Sequence, residues 1–375
     1  MTGYKFFPDT IVWEITFACN MRCLHCGTSA GKVRPKELTT DEALGLIDEL
    51  AGLECRSITL SGGEPLLRKD WRTLAERIRH HNMFLSMITN GFMVDEAVAE
   101  DFVRLKFDMV GVSFDGTAET HDYIRQNQGS HDRALKAMSL MHQASTRFCA
   151  VTQVSNINLG ELDQIRQELT EVGCRLWRIQ MTTCTGRMPK ELTLSLENYP
   201  RLIDKLLAFQ RDYAKDKRNI DIDVGENIGY YGCKGSELLE GSPYLGCFAG
   251  TRVLGIESDG TIKGCLSMPE EFVEGNIRER SLTEIWNDPN AFSYNRKFTR
   301  TSADGECRDC RYLVLCRGGC ATTSYSATQR RADNPYCIYR MEKRQGIEPI
   351  DSEMVSNLLQ KYADPEGPKV KAGGD

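Results

Sequence analysis

Between residues 11 and 213, short β-branched or apolar runs alternate with stretches of helical periodicity, and this constrains the fold more than any other feature of the chain. Successive strand and helix units pack when the strands lie side by side and the helices cross back over them, which gives a parallel sheet. Six strands are predicted, at 11–16, 57–60, 84–89, 109–114, 148–154 and 176–181. Between the first two, 39–53 reads as an amphipathic helix: Thr39 and Glu42 have capping-box spacing, and Ala43, Leu46, Ile47 and Leu50 share one face. Stretches beginning at Asp70, Asp95, His131, Leu159 and Leu196 repeat the pattern. Six βα units are too few to close an eight-unit barrel, so the expectation is an α/β fold with an open, partial barrel.

After Arg218 the period changes. Gly225, Gly229, Gly232, Gly235, Gly241 and Gly246 break any long helix, and cysteine becomes dense. A second, smaller α+β domain is expected over 216–340, with a hairpin turn at Ser258, Asp259 and Gly260 between two short strands. A C-terminal helix is expected within 341–363, and a disordered tail, rich in Gly, Pro and Lys, over 364–375.

Composition narrows the function. With 41% hydrophobic and 27% charged residues the chain has a globular profile, and no run of eighteen apolar residues provides a membrane span. The first ten residues lack the apolar core of a secretory signal, so a cytoplasmic location is expected. A net charge of −6 disfavours nucleic acid, whose phosphates are held by clustered Lys and Arg. Fifteen cysteines, an odd number, stand out, and in a reducing compartment metal ligation is a better reading than disulfides.

The first cysteine cluster, in FACNMRCLHCG at the end of the first predicted strand, is Cys19, Cys23 and Cys26. Three thiolates on one tight loop suit three corners of an iron–sulfur cubane and leave one iron open. Zinc is an alternative, although closed zinc sites usually show two CxxC pairs or added His ligands; a buried, inert trio is another. At the end of the second strand stand Ser61, Gly62, Gly63, Glu64 and Pro65. Paired glycines let a backbone approach a ligand, and Glu64 offers a carboxylate to an ammonium; a plain βα turn with a solvated Glu is the alternative.

The CxxxCxxC spacing, with His25 just before the last Cys, resembles the radical S-adenosylmethionine (SAM) enzymes, and the chain is identified as similar to that family by several further motifs. Gly62, Gly63, Glu64 and Pro65 resemble its GGEP motif, which holds the amino group of SAM. Asn90 in Thr89-Asn90-Gly91, and Ser113 and Asp115 in the SFDG stretch, stand where related enzymes contact the methionine or ribose part. His121, Asp122 and Arg125 resemble an HDxxR stretch whose Arg meets the methionyl carboxylate, and residues 152–156 resemble the segment lining the adenine. The later cysteines resemble the SPASM pattern: Cys247, Cys265, then Cys307, Cys310, Cys316 and Cys320 in CRDCRYLVLCRGGC, and Cys337.

The resemblance implies a partial (β/α)6 TIM-like barrel over 11–215 with a cysteine-rich SPASM domain over 216–340. It implies SAM, one SAM-binding 4Fe-4S cluster and two auxiliary clusters. By position, one auxiliary cluster takes Cys307, Cys310, Cys316 and Cys337, and the other Cys247, Cys265 and Cys320. The latter is one ligand short: related enzymes often place a cysteine where this chain has Gly241, and Cys233 is the nearest upstream candidate. Zinc remains the alternative for this domain. Cys184, after the sixth strand, is a candidate hydrogen or proton donor, and a loop thiol without a role is the other reading. The implied activity is hydrogen abstraction by a 5′-deoxyadenosyl radical, with a ribosomally made peptide or protein as substrate for oxidation or crosslinking. The alternative is dehydrogenation or epimerisation of a small molecule, and a third reading is a non-enzymatic iron–sulfur or zinc protein. A low-potential donor of the flavodoxin or ferredoxin type is implied, and a leader-recognition protein, if used, is expected as a separate chain because the first strand starts by Ile11.

Overall fold

A computed structural model describes residues 6–363. Ten strands form one sheet: β1 Thr10–Thr16, β2 Ser57–Gly62, β3 Phe84–Thr89, β4 Met109–Ser113, β5 Phe148–Val154, β6 Leu176–Met181, β7 Asp221–Val224, β8 Val253–Ile256, β9 Thr261–Lys263 and β10 Val273–Asn276. Their spatial order is β10-β9-β8-β1-β2-β3-β4-β5-β6-β7. The pairs from β1 through β6 are parallel, as the alternating pattern predicts. The helices between them are α1 Thr40–Gly52, α2 Trp71–His80, α3 Glu96–Arg104, α4 Ala118–Arg125, α5 Ser130–Gln143 and α6 Leu162–Glu171, followed by α7 Tyr199–Lys215. The capping box on α1 is formed, with Thr39 accepting from the Glu42 N–H, and Ala43, Leu46, Ile47 and Leu50 are buried.

The sheet has two unlike faces. Ile11, Trp13, Ile15, Ile58, Leu60, Leu85, Met87, Val110 and Val112 are fully buried on one, giving an apolar core. Because successive side chains alternate, the opposite face carries Glu14, Thr59, Ser61, Ser86, Ser113, Gln153 and Gln180. Thr59 bonds Ser86 at 2.8 Å across β2 and β3, and Gln153 donates to Gln180 at 3.1 Å across β5 and β6.

Chain packing divides the protein into two units. The first comprises residues up to Ser195, Asp212–Asp223 and Phe248–Lys297; the second comprises Leu196–Arg211, Val224–Cys247 and residues from Phe298 on. The hairpin around Gly260, expected in a domain over 216–340, instead extends the first unit's sheet, with β8 parallel to β1 and Thr10 opposite Val253. A short VLGI run pairs with whatever edge is open, and β1 offers one. The second unit holds short helices: α8 Cys233–Leu238, α11 Gly305–Arg308, α12 Leu313–Cys316, α13 Ala321–Thr328, α14 Ile338–Arg344 and α15 Glu353–Ala363; α9 Leu282–Asn287 and α10 Ser293–Arg296 lie in the first. The C-terminal helix expectation corresponds to α14 and α15, and the tail 364–375 lies outside the described residues.

Candidate active site

The loop after β1 carries Cys19, Cys23 and Cys26, and its backbone is tied down at several points. Glu37 accepts from the Phe17 N–H at 2.7 Å and from the Thr16 hydroxyl at 3.0 Å. Cys19 N–H donates to Gly31 O, and Gly31 N–H to Phe17 O, each at 2.9 Å. Arg187, after β6, donates from Nε to Cys23 O at 3.0 Å and from a terminal nitrogen to Ala30 O at 2.7 Å, while its own N–H reaches Cys26 O at 3.0 Å. Sequence reasoning missed Glu37 and Arg187. A single charged residue in a polar loop gives no periodicity or motif, and only the fold reveals what it holds.

Burial raises the thiol of Cys19 to about 11, with Glu64, Cys23 and Cys26 adding to the rise. Burial also pushes Cys23 up, opposed by the charge of Arg125. Thiols held in a buried, tied-down group of this kind are stabilised as thiolates by a metal centre.

The glycines at the end of β2 make a close approach within the protein itself. A Cβ on Gly62 would stand 2.4 Å from Thr16 O, and one on Gly63 2.1 Å from Ala18 O. Gly63 and Glu64 N–H groups donate to those same two carbonyls at 2.8 and 2.7 Å. What these glycines approach is the root of the cysteine loop itself, so they set the loop against β2. Pro65 opens a short 3-10 turn, Pro65–Leu67, and is buried.

Glu64 is fully buried and accepts from Leu66 N–H at 3.2 Å, the Thr89 hydroxyl at 2.8 Å and Asn90 N–H at 2.8 Å. Burial lifts its carboxyl to about 7 against those donors. Asn90 Nδ2 donates to Asn20 Oδ1 at 2.7 Å, joining the loop after β3 to the cysteine loop.

Beyond β4, Asp115 is fully buried. One of its oxygens accepts from Gln153 N–H at 2.8 Å, and the other meets His25 Nε2 at 2.8 Å and the Arg125 guanidinium. Burial alone would raise its carboxyl, yet Arg125 and His25 hold it below the usual carboxylate range. Asp115 N–H donates to His121 Nδ1 at 3.0 Å, so the ring proton of neutral His121 lies on Nε2. Both Asp115 oxygens are thus committed within the protein, and the ribose contact implied by the resemblance has to share them. Ser113 ends β4, half-buried and opposite Val151. Asp122 caps α5, accepting from Gly129 and His131 N–H groups and the Ser130 hydroxyl.

Arg125 is the pivot. One terminal nitrogen donates to Cys23 Sγ at 3.8 Å, the other pairs with Asp115, and Nε is buried without a partner. A buried guanidinium one hydrogen bond short, beside three grouped thiols, is a fit for an anionic group of a ligand at this loop.

In the second unit the structure brings Cys307, Cys310, Cys316 and Cys337 together. Burial pushes up all four thiols; the other three cysteines add to the rise at Cys316, and Cys307 and Cys310 add to it at Cys337, which reaches about 12. Cys320, partly buried, lies next to Cys247, and burial and that neighbour raise its thiol in the same way. Clustered, buried sulfur donors fit iron–sulfur ligation. Cys233 is not placed with either group: its N–H donates to Glu342 at 2.6 Å and its thiol to Glu348 O at 3.6 Å. Cys265 follows β9 in the first unit. Cys184 is exposed, with its thiol 3.7 Å from Met188 O. Among the described residues no three His, Cys, Asp or Glu side chains converge as ligands of one metal ion, and no helix is long and apolar enough to cross a membrane.

Comparison with known proteins bears on the whole chain. The Radical SAM superfamily matches residues 13–172, and the SPASM iron–sulfur cluster-binding domain matches 247–311. An AdoMet-dependent heme synthase of Methanosarcina barkeri is 32% identical over 90% of this chain and 98% of its own length. The mycofactocin maturase MftC of Mycolicibacterium smegmatis is 28% identical over 88% of this chain and 83% of its own. Among solved structures, anSMEcpe with bound AdoMet superposes with a TM-score of 0.69 at 20% identity, covering 94% of this chain and 99% of that one. Streptococcus suis SuiB gives 0.69 at 16% identity, over 88% and 76%. These two likenesses establish the fold, a radical SAM partial barrel. The matched family patterns and the near full-length relative identify the chain as a member of the radical SAM superfamily with a SPASM domain, an oxidoreductase-type enzyme that uses 4Fe-4S clusters and S-adenosylmethionine.

Proposed function

We propose that this enzyme cleaves SAM at the loop of Cys19, Cys23 and Cys26 and takes a hydrogen atom from a ribosomally made peptide or protein, which is then oxidised or crosslinked. When bound, the cluster and SAM supply reductive cleavage of a sulfonium C–S bond and a carbon radical able to attack unactivated C–H. The protein's residues do the positioning. Arg125 offers its free Nε–H to the methionyl carboxylate while its terminal nitrogens stay on Cys23 and Asp115. Glu64 accepts from the ammonium with the lone pair that Asn90 leaves open. Asn90, Ser113 and Asp115 complete the ligand's surroundings, His25 is oriented by Asp115, and the polar face of the sheet receives the substrate. Gly62, Gly63 and Pro65 hold the loop in place.

The observation that carries this reading is the unpartnered, buried Nε of Arg125 beside the grouped thiols. The second unit's cysteines serve two auxiliary 4Fe-4S clusters, one at Cys307, Cys310, Cys316 and Cys337, the other using Cys247 and Cys320. When bound, those clusters would supply an electron acceptor for the substrate radical, so that the net reaction would be an oxidation. Cys184, exposed after β6, acts as a hydrogen donor in this reading. A flavodoxin- or ferredoxin-type protein supplies low-potential electrons. Similarity to a mycofactocin maturase over 88% of this chain supports the peptide class.

Anaerobic reconstitution tests the reading: about twelve irons per chain are expected for three cubanes, with 5′-deoxyadenosine released under strong reductant. Colourless protein that binds zinc and leaves SAM intact would reject it. A second reading, a small-molecule substrate, is favoured by the 32% identity to a heme synthase. Product mass separates the two: loss of a hydrogen pair from a candidate peptide supports the maturase, and an unmodified peptide alongside a converted small molecule supports the other.

A further inference from the structure

Tyrosines pack among the cysteines of the second unit, Tyr230 among them. Tyr230 is 1% exposed and sits in the left-handed region at φ +84°, an uncommon conformation for a bulky residue. Its ring packs in a core with Cys316, against which Cys310, Cys320, Cys337 and Tyr244 also pack, and the Tyr244 ring is centred 4.7 Å away. Two donors converge on the Tyr230 oxygen, Cys320 N–H at 3.0 Å and Asn334 Nδ2 at 3.1 Å. Asn334 is itself buried, and a Cβ on Gly319 would lie 2.8 Å from the Tyr230 ring carbon that carries the hydroxyl, so this turn is pressed against it. Of the neighbouring phenols, Tyr312 donates to Asp351 and Tyr231 donates to Tyr244 O at 2.7 Å, while Tyr199 accepts from Gly229 N–H at 3.0 Å. At Tyr230 both acceptor positions are filled, and no nitrogen or oxygen among the described residues takes its proton. Around it stand sulfur ligands.

We propose that the Tyr230 hydroxyl donates its proton to a sulfur of the auxiliary cluster at Cys320 and thereby sets that cluster's reduction potential. This rests on the auxiliary-cluster reading above. A hydrogen bond to a cluster sulfur stabilises the more negative, reduced state, so the donor raises the potential. Tyr230 is a positioning residue here: it touches the electron acceptor and not the reacting substrate. Its strained backbone is the means by which the fold aims this phenol between Cys320 and Cys316, cysteines of both auxiliary groups.

The test is a redox titration, followed by electron paramagnetic resonance, of reconstituted full-length protein. Tyr230→Phe keeps the ring and removes the O–H; at a fixed potential near the midpoint, the reduced-to-oxidised ratio of one auxiliary cluster should fall about tenfold, which is about 59 mV for one electron. Tyr312→Phe removes a buried hydrogen bond from the same core without freeing a sulfur contact, and should leave that ratio unchanged. A ring-fluorinated tyrosine placed at position 230, a stronger donor of nearly the same size, should move the ratio in the opposite direction and serves if the Phe variant fails to fold. Equal shifts in both Phe variants, or no shift with the fluorinated ring, overturn the proposal with the clusters still present. Native protein with iron for a single cubane overturns the auxiliary-cluster reading as well.

Discussion

The two groups of cysteines sit in opposite structural settings. Cys19, Cys23 and Cys26 hang from a ten-stranded sheet whose core of Trp13, Ile15, Leu60 and Met87 is complete without them, and their loop is held by Glu37, Gly31 and Arg187 through backbone contacts. In the second unit, Cys316 is a core residue, surrounded by Tyr230, Tyr231, Tyr312 and Leu315. The helices there are short, four residues each for α11 and α12, and helices of that length do not persist alone in water. One set of sulfurs is mounted on a fold; the other is part of what makes the fold. If these cysteines hold the clusters as proposed, metal loading should equip the first unit and help to build the second.

Cysteine substitution is the largest way to break this contrast. Cys23→Ala should reduce 5′-deoxyadenosine release to background while leaving the melting temperature within a few degrees of native. Cys316→Ala should remove auxiliary iron and expose the second unit to limited proteolysis, because metal binding there is coupled to folding. Chelating iron from the native chain should give the same split, with the sheet protected and the 300–360 region cut. A second unit that stayed protease-resistant without iron would remove the distinction.

Two glycines sharpen it. Gly63→Ala puts a methyl 2.1 Å from Ala18 O and should cost on the order of 3 kcal/mol, since the strand-to-loop hydrogen bonds must part. Gly45 lies in α1 with nothing within 4 Å of a Cβ, so Gly45→Ala should stabilise by about 1 kcal/mol. Urea melts of both variants check the difference. If Gly63→Ala proved as mild as Gly45→Ala, the glycine pair would not be what seats the loop.

Much of the first unit was readable from the chain, and the contrast explains why. β3, β5 and β6 fall on their predicted bounds because alternating burial and helical period are local signals. The pairing of β8 with β1 joins Thr10 to Val253, and no local pattern carries a contact of that range. The motif residues were legible by order behind successive strands, but their partners were not. Gly62 and Gly63 announce a close approach without saying to what, and the structure answers with Thr16 and Ala18. Arg125 was read from its HDxxR resemblance as a carboxylate partner, whereas its grip on Cys23 and Asp115 follows from the fold. Cys233 was drawn in by proximity in sequence, and its helix turns the thiol toward Glu348 instead.

Acid provides a graded probe of the first unit. Burial, followed by the charge of Arg125, lowers the His121 ring from its ordinary 6.5 to about 3. The folded-state value is depressed, so the unfolded chain takes up a proton that the folded one refuses. Stability is unaffected above pH 6.5 and declines as the pH falls toward 3, by about 1.4 kcal/mol per pH unit from this group. His121→Asn, which keeps an acceptor for Asp115 N–H, should flatten that part of the acid slope. Equal slopes for native and variant protein would show that His121 is protonated in the fold.

The smallest expected effect tests whether the first unit is independent of iron. Thr39 accepts from Glu42 N–H at 3.3 Å and Glu42 returns to Thr39 N–H at 2.8 Å, so Thr39→Ala opens one helix end on an exposed surface. The loss should be about 1 kcal/mol, the usual worth of such a cap. If the sheet and its helices stand without the metal, the same loss is measured in iron-loaded and iron-stripped protein, because the link from cap to cluster loop is indirect, through Arg278 and the Glu37 carbonyl, and weakly coupled terms add. A loss that vanished on stripping iron would mean that α1 had already come apart, and that the sulfurs on the β1 loop belong to the structural core as fully as Cys316 does.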